Sequence, residues 1–166
     1  MTTERKVKFD VELVVKLVLT GMRLLLGAWM FLQGLNHFIH LYPQPMGSWP
    51  QASALLVTLI DTGLFDVVKM VEIVGGVLLL TGWFVPLALV ILMPISTVVF
   101  YNDAVLQHRI ARVFYLGTGC MYMNVILLVA YIRYYIPMMS CHSSLGHVRD
   151  FKKLPEIFRA DSGGGL

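Results

Sequence analysis

Leu64-Phe65-Asp66-Val67-Val68-Lys69-Met70-Val71-Glu72-Ile73-Val74-Gly75-Gly76-Val77-Leu78-Leu79-Leu80-Thr81-Gly82 reads as a membrane-spanning helix that carries a lysine and a carboxylate three residues apart. A charged side chain at the bilayer centre costs about 2.5 kcal/mol or more, so Glu72 must be paired, protonated, near an interface or facing a wet cavity. At i and i+3, Lys69 and Glu72 share one helix face and can pair with each other. That face is the first candidate for function.

Working outward, composition sets the class. The 166 residues are 57% hydrophobic and only 14% charged, with a mean hydropathy of +0.73, whereas soluble domains carry roughly 25% charged residues. This predicts an all-α integral membrane protein, a four-helix transmembrane bundle. Four long apolar runs can be drawn, Val14–Phe38, Leu64–Trp83, Pro86–Tyr101 and Val113–Ile136, against the ~20 helical residues that cross ~30 Å of hydrocarbon. The first is too long for the core of a signal peptide and has no small-x-small cleavage site, so it is expected to stay as a helix. One transmembrane domain, 14–136, is expected between a basic N-terminus, 1–13, and an amphipathic, flexible tail, 137–166.

Charge sets the expected orientation. Arg5, Lys6, Lys8 and Lys16 precede or open the first span, Arg149, Lys152, Lys153 and Arg159 follow the last, and the connection from Ile39 to Gly63 has no Lys or Arg. Both termini should therefore be cytoplasmic, although Arg109 and Arg112 fall in an outer connection. The net charge of +3 reflects topology and anionic lipid, and no basic patch with interleaved aromatics points to nucleic acid. Cys120 and Cys141 lie about 30 Å apart along one helix, too far for a disulfide, and neither belongs to a C-x-x-C.

Between the first two spans, Pro43, Pro45 and Gly47 stop the helix. Ser48 and Gln51 resemble a capping box, with Pro50 in the first turn. Ala52, Leu55, Leu56, Leu59 and Ile60 then recur at helical spacing, so a short interfacial helix ending at Gly63 should roof the bundle. Trp83-Phe84-Val85-Pro86 makes the second and third spans antiparallel neighbours. Gly75, Gly76 and Gly82 allow close helix approach, and Pro94 should kink the third span. Arg23 should snorkel or meet a carbonyl freed by Pro94, and Asn124 should bond to another helix.

The order Arg23…Gly27…Gly34-Leu35-Asn36-His37-Phe38, a Pro-rich loop, Lys69-x-x-Glu72-x-x-Gly75-Gly76-x-Leu78-Leu79-Leu80-x-Gly82, then Phe84-Val85-Pro86-Leu87-Ala88-Leu89 and Pro94-Ile95, resembles the DoxX family of small bacterial membrane proteins. The likeness covers roughly the first three helices. It implies a four-helix bundle in the bacterial cytoplasmic membrane, loosely associated with quinone-linked sulfur oxidation and redox-stress complexes. It does not name a substrate.

With both termini inside, the polar residues gather in the outer half of the bundle: Gln33, Asn36, His37 and His40 on the first span, Lys69 and Glu72 on the second, and Tyr101, Asn102 and Asp103 at the end of the third. That asymmetry predicts an outward-facing cavity. Glu72, His37 and Asp103 are the candidate catalytic, proton-carrying groups, and Lys69, Asn36, Gln33, Asn102 and Tyr101 the candidate ligand contacts. A structural ion pair is the plainer account of Glu72, and an interfacial hydrogen bond that of His37. No metal site is assigned: His37, His40 and Met46 are too scattered to fix copper, and haem on His37 or His108 has the same thin basis. The leading reading is a redox-associated membrane protein that binds a quinone or another small hydrophobic molecule in the lipid bilayer. One alternative is a non-catalytic scaffold subunit, or a homo-oligomer, whose Trp29, Phe31, Phe100 and Phe114 contact neighbours. The other is an acid–base enzyme, an isomerase, cyclase or hydrolase, acting on a lipidic substrate.

Overall fold

A computed structural model describes residues 3–43, 49–107 and 116–139, with side chains from Val11 onward. Among these residues the fold is helical, with no strand. The helices are α1 (Thr3–Ile39), α2 (Pro50–Asp61), α3 (Leu64–Thr81), α4 (Val85–Phe100), α5 (Leu116–Ala130) and the single turn α6 (Ile132–Tyr135). A π-helical segment, Tyr101–Leu106, continues α4. The chain divides into two compact units, Met1–Tyr135 and Ile136–Leu166. Of the second, only the 3-10 turn Ile136–Met139 is described.

Within the first unit, α1 packs mainly on α3, α3 on α4, α4 on α5, and α5 returns to α1, while α2 rests on α3 and the π segment. The α1–α3 seam is tight because glycines line it. A Cβ on Gly76 would lie 2.7 Å from the Phe31 nitrogen and 2.8 Å from the Gly27 carbonyl oxygen, so the two backbones touch. Gly34 repeats the device against Lys69 itself, where a Cβ would fall 2.8 Å from the Lys69 carbonyl oxygen. Where lipid surrounds helices, small residues let them gain dispersion contacts.

Two helices, Val11–Ile39 and Val85–Leu106, are long and apolar enough to cross a membrane. Gly117–Ala130 with Ile132–Met139 makes a third if that bent pair is one span. The 18 residues of α3 include Asp66, Lys69 and Glu72. Outward faces of the bundle are apolar, with Leu25, Val74, Leu87, Val90 and Val129 all exposed. Soluble monomers rarely expose so continuous an apolar surface.

Several local expectations change. The helix of the first span begins at Thr3, within the basic N-terminal segment, and its candidate membrane span is Val11–Ile39. The third span runs five residues beyond its expected limit of Tyr101, through the π segment to Leu106. Pro50 occupies the first turn of α2 as expected, but Trp49 is its N-cap and no side chain caps it. Ser48 and Met46 lie outside the described residues, as do His108, Arg109, Arg112, Phe114, Cys141 and the amphipathic tail from 140 onward. Gly63 and Gly82 adopt φ of 71° and 79°, left-handed conformations that glycine takes without strain, and so bracket α3.

The core sits at the end of the bundle near the α3–α4 turn. Leu26 and Met30 of α1, Leu79 of α3, Ala88, Leu89 and Leu92 of α4, and Cys120, Met123 and Leu127 of α5 are buried together. Beside it, Asn124 Nδ2 donates to Ser96 Oγ at 3.2 Å, the expected interhelical bond. Arg23 Nη1 lies 3.1 Å from where a Gly82 Cβ would stand, against the C-terminal cap of α3. A cation there complements the helix dipole.

Candidate functional site

At the other end, beneath α2, the bundle opens into a cavity of about 860 Å³. Its walls are largely apolar. Leu55, Leu56 and Leu59 of α2 form the roof, and Trp29, Met30, Val68, Ile95 and Val99 line the sides. Seven polar residues interrupt that lining: Gln33, Tyr42, Lys69, Glu72, Asn102, Asp103 and Gln107. A mostly apolar pocket with a few convergent polar groups is the usual form of a small-molecule site.

The Lys69–Glu72 pair anchors one wall. Lys69 Nζ donates to Glu72 Oε2 at 2.8 Å, and the two side chains keep only 8% and 3% of their exposure. The helical i, i+3 spacing brings them together, and the close approach of Gly34 shields them from the α1 side. Lys69 also stands 5.0 Å from the centre of the Phe65 ring, a cation–π contact that replaces part of its lost hydration. A buried ion pair is held at a desolvation cost of several kcal/mol per ion, which its mutual attraction only partly offsets. Stability alone is a weak reason for keeping it.

The second polar wall is the π segment. Asn102 Nδ2 and Gln107 Nε2 both donate to Asp103 Oδ1, at 3.3 and 3.2 Å. The carboxylate's other oxygen lies against Gly117, 3.0 Å from where a Cβ would be, so α5 leaves it room. The wider turn of a π-helix changes which side chains face the bundle, and such turns are frequent at functional sites.

A third element closes the α1 side. Asn36 grips the backbone of Tyr42 from both ends, with Nδ2 donating to the Tyr42 carbonyl at 3.1 Å and Oδ1 accepting from the Tyr42 N–H at 2.8 Å. This clamp turns the chain back at His40, whose φ is 56°. The Tyr42 hydroxyl then donates to Gln33 Oε1. Burial first, and the Glu72 carboxylate second, push the Tyr42 phenol above its ordinary range, so it remains a donor at neutral pH.

Five of the eight expected site residues thus meet in the cavity wall: Glu72, Lys69, Gln33, Asn102 and Asp103. Three do not. Asn36 is nearly fully buried and spends its amide on Tyr42, so it positions a wall residue and is not among the lining residues. Tyr101 is half exposed on the outside of the π segment. His37 also stands outside the lining, 2.5 Å from Asp66, with the two side chains 20% and 56% exposed. Its ring meets Phe38 and Phe65 edge-on.

Sequence reasoning missed Tyr42, Gln107 and Cys120 as lining residues, and Asp66 as the partner of His37. Spacing held a signal for two of them. Gln107 follows Asp103 by four residues, and Cys120 follows Gly117 by three, so each shares a helical face with its neighbour. Trp29, named as a neighbour contact only in the scaffold alternative, is among the residues lining the cavity. Among the described residues, no three His, Cys, Asp or Glu side chains gather as a metal site.

Comparison with family models, with curated proteins and with solved structures gives no match.

Proposed function

We propose that this is a bacterial inner-membrane protein of the DoxX type, redox-associated, whose cavity binds a quinone-like or other small hydrophobic molecule. In this reading α1, α3, α4 with its π extension, and α5 with α6 are the four spans. Both termini are cytoplasmic, and α2 lies at the outer interface as a roof. The 18 residues of α3 reach about 27 Å, close to the hydrocarbon thickness, and its two innermost charges neutralise each other.

One observation carries the proposal: a buried ammonium–carboxylate pair opens onto a largely apolar cavity of about 860 Å³. The apolar walls suit a hydrophobic body, and the pair supplies a donor and an acceptor side by side for a polar head. The test is native mass spectrometry of the protein extracted with its lipids, followed by Glu72→Gln. A bound small hydrophobic molecule that disappears in the variant, while the helical content is kept, supports the proposal. An empty cavity in the native protein, or retention of the molecule by the variant, defeats it.

A second reading, acid–base catalysis on a lipidic substrate, is favoured by one specific feature. Asp103 lines the same cavity as Glu72, giving two carboxylates in different surroundings. Glu72 pairs with the Lys69 ammonium, while Asp103 accepts from the Asn102 and Gln107 amides, and two carboxylates on one cavity can serve as general acid and general base. Conversion of the co-purifying molecule by the wild type, lost in Asp103→Asn, would move the assignment to this class.

A further inference from the structure

Two lysine–carboxylate pairs occur among the described residues, and they differ in their surroundings. Lys16 meets Glu12 at 3.1 Å with the side chains 72% and 68% exposed, an ordinary surface contact. Lys69 meets Glu72 at 2.8 Å with 8% and 3% exposure, and both residues line the largely apolar cavity. An amine in an apolar cavity with a proton acceptor in hydrogen-bond reach can do more than clasp a polar head, because it can attack a carbonyl. A lysine is nucleophilic only as the neutral amine, and in water at pH 7 that form is a fraction of roughly one in 2,500. Inside the cavity the proton can pass along the hydrogen bond from Lys69 Nζ to Glu72 Oε2, which leaves an amine and an acid side by side. That transfer removes two buried charges together, and desolvation favours it. Glu72 is the hydrogen-bond partner of Nζ, and the Phe65 ring, centred 5.0 Å away, gives the cation a face without a second acceptor.

We propose, resting on the reading of the cavity as a small-molecule site, that its occupant is an apolar aldehyde which Lys69 holds covalently as an iminium, with Glu72 as proton carrier and counter-ion. The neutral amine adds to the carbonyl carbon, so the C–N bond forms as the C=O π bond opens onto oxygen. Glu72 protonates that oxygen, takes a proton from the nitrogen, and then protonates the hydroxyl. The C–O bond breaks, water leaves, and the nitrogen lone pair closes the C=N bond. Overall an ammonium and an aldehyde become an iminium and one water, with no change of oxidation state at nitrogen or carbon. A cation stands beside the Glu72 carboxylate before and after, so covalent capture adds no buried charge to the cavity. An aldehyde, with a hydrogen on its carbonyl carbon, suits a lysine that is only 8% exposed. The apolar walls, Trp29, Leu55, Leu56, Leu59 and Ile95, take its alkyl part.

The experiment uses the full chain in nanodiscs of phosphatidylcholine, a lipid without a primary amine, with decanal, glycolaldehyde and decan-1-ol as probes. Cyanoborohydride reduces iminium ions to stable secondary amines, and peptide mapping by mass spectrometry then compares Lys69 with Lys16. At neutral pH decanal should label Lys69 at least about fivefold more than Lys16, because Glu72 moves protons at the reacting atoms. Glycolaldehyde, which stays in water, should reverse that order. Without reductant, 2,4-decadienal should give an absorbance band to the red of the free aldehyde. Lys69→Arg keeps the cation but forms no imine and should abolish the band, and Glu72→Gln, which removes the counter-ion, should move it. If Lys69→Arg does not fold, the comparison of Lys69 with Lys16 in the native chain decides. Retention of decan-1-ol in native mass spectrometry, without preferential decanal labelling of Lys69, overturns the inference and leaves the cavity reading standing. So does a dienal band that Glu72→Gln leaves unmoved. Neither retention of decan-1-ol nor preferential labelling of Lys69 rejects the cavity reading and this inference together.

Discussion

The two halves of this bundle use the same four helices to opposite ends. Near the α3–α4 turn, Leu26, Leu79, Leu89, Leu92 and Leu127 are buried together, and the polar contacts there include the Asn124–Ser96 bond, the Tyr135 hydroxyl donating to the Pro86 carbonyl, and Arg23 at a helix cap. Beneath α2, the helices separate around about 860 Å³ and the walls hold an ion pair and an amide-held carboxylate. A filled half gives the fold a rigid base, and the open half can then keep costly polar groups in place without collapsing on them. Stability should thus reside in the first half and ligand recognition in the second, and substitutions can try that division.

The largest effect is expected from splitting the ion pair. Lys69→Met leaves the Glu72 carboxylate buried without its cation, and unfolding in detergent, followed by circular dichroism, should show a loss of about 3–5 kcal/mol. The double variant Lys69→Met with Glu72→Leu should recover most of that loss, because a buried pair can be replaced by apolar groups at little net cost. It should not recover binding of any co-purified molecule. A double variant as unstable as the single one would show that the pair holds the bundle together and would erase the distinction between the halves.

Packing variants compare the halves directly. Leu79→Ala or Leu92→Ala opens a void in a filled region and should cost about 2–4 kcal/mol in the same assay. Leu56→Ala, in the roof of a space already open, should cost less than about 1 kcal/mol. Equal losses at Leu79 and Leu56 would mean that the cavity is closed by packing in solution. The seam shared by both halves falls between these cases. Gly76→Ala sets a methyl 2.7 Å from the Phe31 nitrogen, and backbone has little room to yield, so a loss of about 1–3 kcal/mol is expected.

How much of this was legible beforehand follows from the range of the interactions. Helices, their order and the α2 roof come from local periodicity, and the Lys69–Glu72 contact needs only one turn of one helix, so each could be read from the sequence. Asp103 and Asn102 were reachable because the end of a helix is a local fact, even though the π continuation to Leu106 was not foreseen. What failed was long range or rotational. The Asn36–Tyr42 clamp depends on how the loop folds back at His40, and the His37–Asp66 contact depends on the register of α1 against α3. Neither is set by spacing along a single helix. Tyr101 was placed by depth alone, and depth does not say which way a side chain points.

The smallest expected effect is also the sharpest check on the division between halves. Asn124 and Ser96 form a polar contact inside the filled half, and Asn124 Oδ1 is buried without a partner. Interhelical hydrogen bonds in membranes are worth about 0.6–2 kcal/mol, since the separated helices also find partners. Asn124→Leu removes that bond together with the unmet acceptor, so the two changes oppose each other and the net loss of stability should be below about 1 kcal/mol. Ser96→Ala removes only the acceptor of the bond and strands the Asn124 amide, so it should be the more damaging of the two despite deleting fewer atoms. Neither residue lines the cavity, so retention of any co-purified molecule should stay as in the wild type in both. A loss of affinity without a loss of stability would mean that the filled half transmits to the open one, and that the rigid base is itself part of the binding site.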